Sequence, residues 1–140
     1  MASDQAYPSA ARVLFFFTAL GAAALDTVHV FVGGPRFISE IFGSGDLVPT
    51  AQWMAYFVWH IVSVMLALIA ITFAYTAIKY GELPHLKPLA YFATALLLGV
   101  AVLGLGLALI SDGALLATPA PYAFGVLGLL AVAGSVKMTV

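Results

Sequence analysis

The chain has 140 residues, 64% of them hydrophobic and 8% charged, with five Lys or Arg, six Asp or Glu and a formal charge of −1. Soluble domains are roughly 45–50% apolar and about 25% charged, so these few charges exclude a water-soluble monomer and a disordered chain alike. So few basic residues exclude a nucleic-acid partner, and the lack of cysteine excludes disulfides, thiolate metal sites and thiol redox chemistry.

What remains is an all-α membrane protein whose first partner is the lipid bilayer. A spanning helix needs about 20 mostly apolar residues, and four stretches qualify, at about residues 10–32, 52–78, 88–110 and 122–137. Their order predicts one domain, a four-transmembrane-helix bundle. The first run starts like a secretory signal, with Arg12 before Val13 and a small-residue site at Ala22-Ala23-Ala24. It continues to Val32, however, too long for a signal core, and is read as the first crossing.

Gly33-Gly34-Pro35 is expected to end that first helix. After it, Phe37, Ile38, Ile41 and Phe42 share a helical face, which predicts a short interfacial helix in the first outer loop, apolar side down. Gly81, Pro84 and Pro88 frame the next turn, where His85 reads as a solvated loop residue. Ser111-Asp112-Gly113, Pro119 and Pro121 bound the last connection. Trp53 with Tyr56, and Tyr75 with Tyr80, sit near opposite ends of the second span, as interfacial aromatics do. Arg12, Lys79, Lys87 and Lys137 fall on one side of the bilayer and Arg36 alone on the other, which predicts cytoplasmic termini.

Three ionisable residues lie inside the spans, where each costs roughly 2.5–3.5 kcal/mol at mid-helix. Asp26 and His29 are three apart on one face of the first helix. His60 shares a face of the second with Trp53, Tyr56, Ser63 and Ala67, the one polar-aromatic stripe in the chain. Measured from the helix ends, Asp26 and His60 fall at nearly one depth, with His29 a turn above. That predicts an Asp26–His60 hydrogen bond, either a structural clip between helices or the centre of a binding site with His29, Tyr56 and Ser63; the third alternative is polar side chains that face outward, His29 near the interface first among them.

Sharper readings use the same residues. His29 and His60 have the ligand type for a bis-histidine haem, though their depths differ by roughly 7 Å. Asp26, His29 and His60 offer three ligands to a divalent metal, and Asp26 suits proton-coupled transport. Ser63 lies one turn from His60, but no nucleophile-elbow motif accompanies it. The small-xxx-small pairs Gly104/Ala108 and Ala131/Ser135 predict close helix contacts, within the chain or between copies.

His29 followed by Gly33-Gly34, with Trp59-His60 early in the second span, resembles a group of short bacterial four-helix inner-membrane proteins. The resemblance covers about the first half of the chain. It implies a bacterial inner membrane and transfers no activity. The expected function is that of a non-catalytic structural or accessory subunit, as a homo-oligomer or within a larger membrane complex. The alternative is a ligand-, metal- or haem-binding or proton-coupled transport module.

Overall fold

The computed structural model describes residues 10–43, 45–79 and 86–138; Tyr80, Gly81, Pro84 and His85 lie outside them. Every regular element among the described residues is helical. Helix α1 (Ala10–Val28) runs through a π-helical turn (His29–Gly33) into α2 (Gly34–Gly43). Then come α3 (Pro49–Ile78), α4 (Leu86–Ile110), a 3-10 turn (Ala114–Ala117) and α5 (Ala120–Val136). Three stretches are long and apolar enough to cross a membrane, Ala10–Gly43, Pro49–Ile78 and Leu86–Ile110; Ala120–Val136 is apolar but shorter.

Proline and left-handed backbone mark the other boundaries. Pro49 opens α3 after an extended Val48, and a proline also sits in the first turn of α5, where its missing N–H costs nothing. Between α4 and the 3-10 turn, Asp112 (φ 49°) and Gly113 (φ 81°) take positive φ in succession and reverse the chain.

The expected stop at Gly33-Gly34-Pro35 is overturned, because the helix continues to Gly43. The π-turn is the physical reason. Pro35 has no N–H to donate, and its ring would crowd the carbonyl one turn below in an α-helical ladder. A wider turn, in which the Gly34 N–H donates to His29 O five residues back, lets the helix pass the proline. Helix α2 therefore extends α1. Its apolar residues Phe37 and Phe42 pack on α3, and Gln52 Nε2 donates to Ile41 O at 3.1 Å.

In the bundle α1 lies between α3 and α5, and α4 packs chiefly on α5. Phe15, near the end of the bundle where α1 begins and α3 and α5 finish, is fully buried and stacked on Phe73 at 5.6 Å. Helix α5 approaches it at Gly134, where a Cβ would fall 2.7 Å from Phe15 Cε1. The expected small-residue contacts are present within the chain. Ala108, Ala131 and Ser135 are buried, and a Cβ on Gly104 would lie 3.3 Å from Pro121 Cγ. The buried Thr18, Thr76 and Thr94 each donate to the carbonyl four residues back, at 2.9, 2.8 and 2.7 Å. Phe16, Phe17, Leu20, Phe92 and Leu129 are exposed on the outside, the surface that a bilayer would cover.

Phe15 meets both Phe73 and Gly134, which places these three at one level. Counting upward, α5 starts near the level of His29, whereas α2 continues for more than three turns. The α2–α3 hairpin therefore reaches about 20 Å past the start of α5. Arg12, Lys79, Lys87 and Lys137 gather at the opposite end.

Candidate functional site

Two ring contacts fix how α1 lies on α3, Phe15 on Phe73 and His29 on Trp59. Fourteen residues separate the contacts on each helix, so the pair runs antiparallel in constant register. The α1 stripe facing α3 reads Phe15, Ala22, Asp26, His29; the α3 stripe facing α1 reads Trp59, Ser63, Leu66, Phe73. Both use the three-and-four spacing of a packed seam. Asp26 and Ser63 thus lie on facing stripes within about one residue's rise, ~1.5 Å.

His29 makes two contacts with one residue. Its Nε2–H donates to Trp59 O at 3.1 Å, and its ring stacks on the indole at 3.9 Å and 14°. Phe37 also lies parallel to that indole, at 4.3 Å and 18°. Two rings so near and so parallel must take opposite faces, so Trp59 is sandwiched. The residues that hold it, 29, 33 and 37, recur every four positions. Gly33 sits at the indole's edge, where a Cβ would be 3.0 Å from Trp59 Cζ2. Above the sandwich, Phe42 meets Trp53 and Tyr56 edge to face, at 5.1 and 6.1 Å.

Below the sandwich the polar groups go unmatched. Asp26 Oδ1 and Ser63 Oγ are both buried with no hydrogen-bond partner. In a helix a serine hydroxyl ordinarily bonds the carbonyl four residues back, which for Ser63 is Trp59 O. That oxygen already accepts the Ser63 N–H along the helix and the His29 Nε2–H across the seam, which fills both of its lone pairs. Tyr56 and Tyr75 are 19 residues apart on α3, about 28 Å, close to the roughly 30 Å of bilayer hydrocarbon. If they mark its edges, Ser63 lies about 10 Å inside and His60 about 6 Å.

The expected Asp26–His60 bond is not formed. His60 is exposed; its ring meets Tyr56 edge to face at 4.5 Å and borders an open groove lined by Phe57, Ile61, Val64, Met65 and Leu68. The reason is azimuth. Neighbouring positions on a helix point about 100° apart, so with Trp59 turned to α1, His60 turns outward. Depth alone places Asp26 beside His60, and the register does put Asp26 opposite position 62, about 3 Å from the level of His60; depth says nothing of azimuth.

The same turn keeps His60 apart from Asp26 and His29. No three His, Asp or Glu converge among the described residues, so Asp26, His29 and His60 do not form a ligand set. His29 covers one ring face with indole and commits Nε2–H to a carbonyl, while His60 looks away from it. The residues do not fit a bis-histidine haem. Ser63 and His60 make no hydrogen bond, so these two are not joined as nucleophile and base. Of the five expected site residues, the seam gathers Asp26, His29 and Ser63; Tyr56 lies about two turns above Ser63 against Phe42 of α2, and His60 is exposed beside Tyr56.

The sequence reading missed Trp59 as the partner of His29 and Phe37 as the second ring on that indole. The usable signal was the four-residue repeat His29, Gly33, Phe37, hidden by reading Gly33-Gly34-Pro35 as a break. No protein-family model, curated protein or solved structure matches the chain.

Proposed function

We propose that the chain crosses a bacterial inner membrane four times with both termini in the cytoplasm. In this reading it is a non-catalytic accessory subunit that presents the α2–α3 tip to a partner protein at the outer surface. The observation that carries this is the tip. Pro49 lies seven residues, about 10 Å, beyond Tyr56, and around it Leu47, Val48 and Trp53 are exposed, at 40%, 67% and 62%. Exposed apolar groups beyond the hydrocarbon favour a protein surface, and the Trp59 sandwich holds them in a fixed position.

A photo-crosslinking residue at Val48, against one at the lipid-facing Leu129, tests the proposal in native membranes. The expected result is a protein adduct of discrete mass from position 48 and none from 129. Adducts at neither position, or equally at both, would overturn it. A second reading, a binding or transport module around Asp26, is favoured by the two orphaned oxygens in the seam. A partner-free protein that takes up a stoichiometric ligand, lost in Asp26→Leu, would replace the first reading.

A further inference from the structure

We infer that the α1–α3 seam is a two-position hydrogen-bond switch, in which His29 and Ser63 exchange the carbonyl oxygen of Trp59. The inference rests on the described side chains and is independent of the accessory-subunit reading.

One acceptor is contested by two donors. Trp59 O can take the His29 Nε2–H across the seam or the Ser63 hydroxyl from within its own helix. In the arrangement observed His29 holds it, at 3.1 Å, and the cost is visible. Ser63 Oγ loses the partner that Thr18, Thr76 and Thr94 all keep, and Asp26 Oδ1 has none. Groups left unmatched in an apolar interior are expensive.

The second arrangement needs no backbone shift in α3. A turn of Ser63 about χ1 brings its hydroxyl to Trp59 O. His29, released, finds Asp26 three residues back on its own helix, a spacing at which side chains are neighbours. The two groups left unmatched in the first arrangement, the Ser63 hydroxyl and the Asp26 carboxyl, then each have a partner. What the second arrangement gives up is the ring contact of His29 on Trp59, at 3.9 Å. Stacking favours one position and hydrogen bonding the other, which is how a seam acquires two states of similar energy. The switch also has a lever. Phe37 covers the other face of the same indole, so a load on α2 reaches the seam through Trp59. The π-turn at residues 29–33 supplies a deformable joint between them.

Imidazole-labelled protein in lipid nanodiscs tests this by NMR. The chain has three histidines, and His29→Gln assigns the signal. The expected spectrum shows His29 either as two signals, one shifted upfield by the indole and one not, or as one averaged signal of intermediate shift. Ser63→Ala and Asp26→Ala each remove the benefit of the second position. Both should drive the signal to the upfield limit and abolish the second component. Trp59→Phe keeps the carbonyl, weakens the stack and should move the population the other way. A single upfield signal that neither Ser63→Ala nor Asp26→Ala moves would overturn the switch. Ser63→Ala is small enough to keep the fold, so the outcome does not hang on the aspartate variant.

Discussion

His29 and Trp59 are joined twice, by a hydrogen bond from Nε2 to the backbone carbonyl and by a stack of imidazole on indole. The two contacts act on different parts of Trp59, so substitutions separate them. Trp59→Ala removes both stacks and leaves a hole between His29 and Phe37. A loss of about 3–5 kcal/mol is expected, against about 1–2 kcal/mol for Trp59→Phe, which keeps an aromatic filler. Unfolding in mixed micelles measures both; equal costs would mean that the indole is not sandwiched.

Asp26 and His60 are expected to behave as strangers. They form no hydrogen bond, and His60 faces outward beside Tyr56. In a double-mutant cycle, Asp26→Ala and His60→Ala should add to within about 0.3–0.5 kcal/mol. A coupling above ~1 kcal/mol would place the two side chains together after all.

Gly134 and Gly99 form a matched test of helix packing. A side chain on Gly134 runs into the fully buried Phe15, whereas a Cβ on Gly99 meets nothing within 4 Å. Gly134→Val should cost about 1–3 kcal/mol or prevent assembly. Gly99→Ala should be neutral or stabilising by up to ~1 kcal/mol, since alanine is the better helix former. Thermal melts in one detergent compare them directly.

The apolar runs of the sequence located the helices closely, because length and hydropathy are properties a single chain displays. Residues 52–78 were read as the second span and α3 runs Pro49–Ile78; residues 88–110 were read as the third and α4 runs Leu86–Ile110. The first boundary was misread for a physical reason. Glycine and proline weaken an α-helical ladder, but a π-turn widens it, and nothing in Gly33-Gly34-Pro35 itself announces which will happen. The site fails for a different reason. Asp26 and His60 do lie within about 3 Å of one level, but azimuth assigns the inward place to Trp59 and leaves His60 outside. Asp26, His29 and Ser63 were legible as polar residues in apolar spans; their mutual arrangement required the register of two helices.

Orientation in the membrane is checked separately. With Arg12, Lys79, Lys87 and Lys137 at one end of the bundle, reporter fusions at Val140 should read cytoplasmic and insertions at Asp46 should read external. The reverse pattern would turn the α2–α3 tip inward and move its partner to the cytoplasm.

The account depends most on the first helix running unbroken past Pro35 to carry Phe37 onto Trp59. The cysteine-free chain permits spin labels at just two introduced sites, Val13→Cys and Gly43→Cys, both exposed. An unbroken helix separates these backbone positions by about 45 Å at 1.5 Å per residue. A helix ending at Gly34, with the next segment lying across the membrane surface, brings them to about 34 Å. Electron–electron distance measurement in nanodiscs is expected to give a narrow distribution near the longer value. A main population near the shorter one would contradict the continuous helix, and with it the sandwich and the projecting tip.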